Sequence, residues 1–466
     1  MLEFKPNNIN NLREVLPYIK QNPFRCSDLT AGYIFMWQDD LDFSFCVWND
    51  TFCMRMMIND QPAYTYPYGK DPDGMLDELI KHVYEMNEPL RIYGVNEEYM
   101  EKIRQDTRLQ PFCADYDVKW SDYLYDYEKA TTFSGKKFSG QRNHVNRFVK
   151  MYGKPETSFL EEKDLPDVEE MLERYECEHE DRGLLETSEL ERTRELLKVC
   201  AQLDQHAACI RYQGKIIAFS IGEIIGDMLV IHVEKALREY DGIYPVMYQE
   251  FSRIMQDKSE VPLRLVNRED DSGDPGLRIS KTQYQPIARV HKYLVHVKSP
   301  CAGLTLPVLQ DGVLVLDPFR DEDIPAYHRL NLDPDVGRYW GYDFENDPYL
   351  IGEEDRLFYD STIKDTSWGD SLNLAIREND TFIGEVILWH FTSRGDAELG
   401  CRIFPEYQHH GYGQRAFRMM TEYAEQQLHL KMNAKCYREN TSSYRMILGC
   451  GYTLCGEDEN FYYFTR

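Results

Sequence analysis

No apolar run in this sequence approaches the roughly 18–20 residues that cross a bilayer, so no stable membrane insertion is expected. The first residues, MLEFKPNNINNLREVL, hold no apolar core and no cleavage-like site, so no export signal is expected. None of the twelve cysteines forms a CxxC pair. Scattered in a long chain without an export signal, they read as reduced and mostly buried thiols, and the expected compartment is cytoplasmic. Positive charge is scarce: 53 Lys and Arg stand against 80 Asp and Glu, a net charge of −27. Such a field opposes nucleic acid and anionic membranes, so a polyanion would need a local basic patch. What is present is ordinary for a globular protein, with 42% apolar and 29% charged residues. A length of 466 residues predicts two to four domains.

Helical spacing of Leu12, Val15, Leu16 and Ile19 predicts a first helix over 10–19, and Leu76, Leu79, Ile80 and Val83 predict a second over 75–86. Strand-like runs at 43–48 and 51–58 flank Trp48-Asn49-Asp50-Thr51 and predict a hairpin. Another strand is expected at 90–95. The aromatic stretch DYDVKWSDYLYDY, residues 115–127, is expected to be an amphipathic strand with one wet face. The concentrated basic segment follows, SGKKFSGQRNHVNRFVK, with Lys136, Lys137, Arg142, Arg147 and Lys150. From Gln141 onward it is a predicted helix. It is either a solvated face or an anion site, conspicuous in an acidic chain.

Residues 158–257 predict a second α/β unit. Charged helices are expected at 165–182 and 187–203, a meander at 207–233, and a helix led by Glu239-Tyr240-Asp241-Gly242-Ile243-Tyr244-Pro245. A strand at 263–267 ends in Arg268, Glu269, Asp270 and Asp271, which are either turn and capping residues or the edge of a cleft. A closing strand is expected over 284–297. SPCAGLTLPVL, residues 299–309, is the linker candidate. The third unit is expected to run strand 313–316, helix 320–330, an aromatic irregular stretch 338–352, helix 353–364, and strands 371–377 and 381–390. A strand at 397–404, helix 411–428, strand 431–437, helix 440–449 and two closing strands follow.

Within that unit stands ELGCRIFPEYQHHGYGQ, Glu398 to Gln414. It predicts a strand, a short loop and a first helical turn. Two glycines one residue apart at a helix start let backbone N–H groups face an anion without Cβ obstruction, and the helix terminus adds positive potential. Alone, Gly-x-Gly is weak evidence for a phosphorylated ligand.

Three pieces strengthen it: Asp396 to Tyr407, Gln408 to Gly413, and Asn440-Thr441-Ser442-Ser443 followed by Gly449-Cys450-Gly451-Tyr452. Together, over about 311–466, they resemble the GNAT acetyltransferase superfamily, in the branch that includes ribosomal-protein N-terminal acetyltransferases. The resemblance implies acetyl-CoA as acyl donor and an amine or peptide N-terminus as acceptor. Gln408, His410, Gly411, Tyr412, Gly413 and Gln414 would hold the pyrophosphate, the edge at Ile403 and Phe404 would pair with pantetheine amides, and Asn440 would lie near the cofactor arm. No metal is expected, because His409 and His410 are neighbours that point apart. Glu398 is the candidate base and Glu385 the second choice, though both fit outward-facing strand residues as well. The family's tyrosine acid falls on Ile447, which leaves Tyr444 as substitute acid or as packing.

Tyr123-Leu124-Tyr125, Gly135-Lys136-Lys137, Gln141 to Phe148, His232 to Ala236, Tyr240-Asp241-Gly242, Asn267 to Asp270 and Gly276-Leu277-Arg278 are similar to the catalytic domain of bacterial phosphatidylglycerol lysyltransferases. That resemblance implies two GNAT-like lobes, expected at 1–150 and 151–298, ahead of an acetyltransferase domain at 310–466. The fold class expected is therefore α/β of the α+β kind, tandem GNAT-like units with mixed, mostly antiparallel sheets flanked by helices. Three functions remain open: an acetyl-CoA-dependent N-acetyltransferase, an aminoacyl-tRNA-dependent transferase whose basic helix holds the tRNA end, and a CoA-binding scaffold without chemistry.

Overall fold

The computed structural model describes residues 1–178, 184–340 and 356–466, the side chains of 184–187 excepted. The helices expected over 165–182 and 353–364, and the irregular stretch 338–352, fall partly outside the described residues. Three mixed sheets of eight, seven and eight strands form the framework, with helices packed on them. Each sheet is antiparallel apart from one parallel pair: Tyr64–Thr65 beside Ile92–Tyr93, Met228–Val230 beside Leu265–Asn267, and Asp396–Glu398 beside Lys431–Asn433. A helix joins the two strands of every parallel pair: Pro72–Met86, Ile243–Met255 and Tyr412–Gln426. Parallel neighbours need such a crossover, and its apolar face supplies the core. On the last of these helices, Ala416, Phe417, Met420 and Ala424 are buried at the spacing read from the sequence.

The first two sheets exchange strands. Asp122–Asp126 lies in the second sheet, between Ala288–Val290 and Leu265–Asn267. Tyr293–Val297 returns to the first, between Arg91–Val95 and Phe112–Asp115. The sheets therefore divide the chain at points other than 150/151. The closing strand expected over 284–297 is two strands in two sheets. The aromatic strand has no wet face: Asp122, Tyr123, Leu124 and Tyr125 are all buried, since a strand inside a sheet is covered on both faces once helices and a neighbouring lobe pack on it.

The third sheet lies wholly within 309–465. It is joined to the first lobe by Arg394, which donates from Nε and Nη2 to the carbonyls of Tyr84 and Glu85, both at 2.7 Å, and so caps the Pro72–Met86 helix. Asn87 donates to Asp396 at 2.9 Å across the same joint.

Candidate active site

The Asp396–Ile403 strand pairs with Lys431–Tyr437 only over its first three residues. Beyond Glu398 the two diverge, and among the described residues no strand pairs with the edge from Leu399 to Ile403 on that side. Phe404 and a short turn over Pro405–Tyr407 lead from the edge to the loop, where Gln408 donates its side-chain amide to the Ile403 carbonyl at 3.1 Å. His409 at φ 63° and Gly411 at φ 78° turn the chain into the Tyr412–Gln426 helix. No side chain caps that helix. Among the described residues, no N–H from His409 to Gln414 donates to a backbone carbonyl outside the helix, so this is an uncapped cluster of donors at a positive helix end. A Cβ on Gly411 would meet nothing within 4 Å, and one on Gly413 would touch Ile403 and Met446 at 3.5 Å. The loop is thus open to a ligand on one side and closely backed on the other. The His410 and Tyr412 rings stack at 5.8 Å, and the Tyr412 hydroxyl donates to Glu378. Gln414 lies against Gly449, and its carbonyl accepts from the Cys450 thiol at 3.4 Å.

Glu398 stands where the strands part, with Lys435 Nζ at 3.4 Å and His390 Nδ1 at 3.5 Å. Burial raises its carboxyl, but His390 and Lys435 outweigh that and hold it below the usual range. It is therefore ionised and flanked by donors. Glu385 lies deeper. It accepts from Arg402 Nε at 2.5 Å and Tyr327 at 2.8 Å, while Arg402 also donates to Asn331 at 2.8 Å. Glu385 is 2% exposed and Arg402 5%, a closed ion pair whose charge is already matched. Asn440 caps the Thr441–Gly449 helix by accepting from the Ser443 N–H at 3.0 Å. Tyr444 on that helix packs its ring edge-on to Tyr462 and Phe464 at 5.0 and 5.5 Å. The structure thus brings Glu398, Ile403, Phe404 and the Gln408–Gln414 loop together along one splayed edge, and sets Glu385 apart in a buried pair. Sequence reasoning missed His390, Lys435 and Arg402. A charged residue on an otherwise apolar strand was the available signal for Arg402, whereas His390 and Lys435 had none.

The second lobe has the same splay and fills it differently. Gly242, at φ 86°, precedes the Ile243–Met255 helix, but the His144 carbonyl fills the space beside it, 2.4 Å from where a Cβ would stand. Asp241 is held by Arg147 at 2.6 Å. The helix start is therefore covered by the basic Ser139–Tyr152 helix. Arg142 turns inward to the Phe133 and Gly135 carbonyls, so Arg142 and Arg147 are engaged, while Lys136 and Lys137 stay exposed.

The cluster read at 268–271 is deeply packed. His232 sits between Glu223 at 2.9 Å and Glu269 at 2.7 Å. Burial alone would lower the imidazole, but the two carboxylates lift it to about 9. Arg268 pairs with Glu234 at 3.1 Å beneath the Tyr248 and Tyr284 rings. Lys292, with its side chain 1% exposed, binds Asp28, Asp122 at 2.7 Å and Asp270 at 3.1 Å. These three carboxylates are grouped closely enough to serve a metal, and the ammonium occupies their centre.

Comparison with known proteins agrees with this division of the chain. The family described as "Phosphatidylglycerol lysyltransferase, C-terminal" matches residues 21–296, and the "Acetyltransferase (GNAT) domain" family matches residues 314–453. An uncharacterised protein of Mycoplasmoides gallisepticum is 26% identical over 257 residues, covering 54% of this chain and 79% of its own. YnaD of Bacillus subtilis, an uncharacterised N-acetyltransferase, is 24% identical over 139 residues, covering 30% of this chain and 78% of its own. A crystal structure of a conserved protein of unknown function from Bacteroides thetaiotaomicron superposes with a TM-score of 0.58 at 25% identity, covering 64% of this chain and all of that one.

Proposed function

The chain belongs to the phosphatidylglycerol lysyltransferase C-terminal family, and from that footing we propose that its catalytic work is done by the GNAT acetyltransferase domain that follows, as an acetyl-CoA-dependent N-acetyltransferase acting on an amine or a peptide N-terminus. The acetyltransferase domain matched over residues 314–453 supports acyl transfer by this chain. The single observation that carries the finer reading is the uncapped donor cluster from His409 to Gln414 beside a splayed strand edge. These residues fit a pyrophosphate and an amide-bearing arm: N–H groups meet the anion, and the edge from Leu399 to Arg402, short of the Ile403 carbonyl that Gln408 occupies, offers unpaired backbone to the amides. Acetyl-CoA would supply an activated thioester.

This chain's residues would do the rest. The acceptor nitrogen must be neutral when it attacks the thioester carbon, so one proton leaves it before the C–N bond forms and the C–S bond breaks. Glu398, ionised beside His390 and Lys435, attracts an ammonium and orients it. Held below the usual carboxylate range, it is too weak a base to strip an ammonium alone, so the proton passes on through His390 or water. Tyr444 is the proton donor proposed for the departing thiolate, and the second proton, shed by the nitrogen once the C–N bond has formed, returns to Tyr444 through water. The products are an amide and a free thiol, which makes thiol release the assay. With a panel of peptide and polyamine acceptors, Glu398→Gln is expected to lower kcat about 10–100-fold with little change in the KM for acetyl-CoA. Unchanged kcat on every acceptor that the wild type uses would remove Glu398 from the mechanism.

A second reading, aminoacyl transfer by the first two lobes with aminoacyl-tRNA as donor, is favoured by the same family membership and by exposed Lys136 and Lys137.

A further inference from the structure

A cleft of about 490 Å³ lies between the first lobe and the acetyltransferase domain, away from the cofactor loop. One wall comes from the end of the Pro72–Met86 helix, with Ile80, Val83 and Tyr84, and from Leu90 at the start of the next strand. The other comes from Phe391 and the Leu428–Leu430 turn, beyond the C-terminal end of the Tyr412–Gln426 helix. The proposed cofactor loop is at that helix's N-terminus, about 22 Å away for fifteen residues at 1.5 Å each.

The cleft has the size and position of a small-molecule site, apolar in body and placed between domains. Its charge is the reverse of the chain's. Lys81, Arg91, Arg108 and Lys298 line it against one acid, Glu85, in a protein where acids outnumber Lys and Arg 80 to 53. Arg108 is neutralised by Asp73, Asp77 and Asp106, and Lys81 by Glu78. Lys298 is not, and Arg91 is only partly so. Lys298 is exposed at φ 55° with no side-chain partner among the described residues. Arg91 has a side chain 1% exposed. Its Nη1 donates to the Ile58 and Gln61 carbonyls at 2.9 and 3.1 Å, its contact with Asp370 is long at 3.5 Å, and its Nε finds no acceptor. A buried guanidinium N–H without an acceptor is costly to keep unless one reaches it. His429 stands on the opposite rim.

We propose that this cleft is a second ligand site, for a small molecule with an apolar body and a carboxylate, sulfonate or phosphate group, bridging the first lobe and the acetyltransferase domain. The anion docks at Lys298, with the field of Arg91 behind it, and the apolar body lies on Val83, Leu90, Phe391 and Leu430.

The test uses the full chain and the probe 8-anilinonaphthalene-1-sulfonate, followed by fluorescence titration. Saturable 1:1 binding is expected, unaffected by excess CoA. Lys298→Glu is expected to weaken it about tenfold or more, and the independent change Ile80→Trp, which fills the wall, to weaken it as well. Lys154→Glu, on an exposed cation outside the cleft, should leave it unchanged. The uncharged analogue N-phenyl-1-naphthylamine should bind about tenfold more weakly than the sulfonate. Displacement by CoA would assign the probe to the cofactor loop and overturn the proposal. So would equal affinity in the wild type and both cleft variants, or no saturable binding.

Discussion

His232 illustrates what one titratable side chain does for the joint between the first two lobes. Glu223, which it binds, also accepts from the Gly32 N–H at 2.7 Å, so the imidazolium ties the second lobe's meander to a helix start of the first. Gly32 is required there, because a Cβ would stand 2.5 Å from the imidazole ring. The folded pKa of about 9 lies above the ordinary 6.5. A raised base contributes stability that is whole below about 6.5 and lost as pH climbs through about 9, on the order of 3 kcal/mol at most. Urea midpoints measured at pH 6.5 and 9.5 should fall with pH in the wild type, and His232→Gln should flatten most of that difference. An equal fall in the variant would place the pH dependence elsewhere. None of this was legible from sequence. His232, Glu223 and Glu269 are separated by strands and turns, and Lys292 meets acids contributed by residues 28, 122 and 270. Local periodicity cannot report contacts made only once the sheets exist.

Among the elements, the strand–loop–helix at 396–426 was the most legible. Its strand alternates, its turn carries two glycines, and its helix repeats apolar residues at i, i+4, all of which are local signals. The Thr441–Gly449 helix was expected over 440–449, and Asn440, read there as a residue near the cofactor arm, is its N-cap. Asn440→Ala removes the bond to the Ser443 N–H and should cost about 1 kcal/mol, read as a lower unfolding midpoint. If the cofactor arm also meets Asn440, the same variant loses acetyl-CoA affinity. A lower midpoint with unchanged affinity would confine Asn440 to capping. The strand at Asp122–Asp126 was less legible. Its tyrosines alternate with Asp122, Leu124 and Asp126, which reads as a wet-faced strand, yet the polar groups are satisfied internally: Tyr123 donates to Asp271 at 2.6 Å, and Asp122 accepts from Asn267 at 2.8 Å. Alternation reports two faces but does not say that water lies on one of them.

Across the whole molecule, one local plan, a parallel pair splayed around a crossover helix, occurs three times with different outcomes. In the second lobe, the helix start is closed by His144 and by the Arg147–Asp241 pair. In the third sheet it is open, uncapped and lined with free N–H groups. The strand exchange between the first two sheets makes those lobes one cooperative body, while the third sheet is complete within its own stretch of chain. The loop at Gln408–Gln414 is therefore the proposed acetyl-CoA site of this chain. Isothermal titration of acetyl-CoA into the full chain decides it. The expected result is one site per chain, with affinity reduced about 100-fold or more by Gly413→Trp, whose side chain fills the space beside Ile403 and Met446, and retained in Arg147→Glu at the second lobe's covered helix start. Wild-type affinity in Gly413→Trp, or loss of the site in Arg147→Glu with Gly413→Trp unaffected, would contradict it.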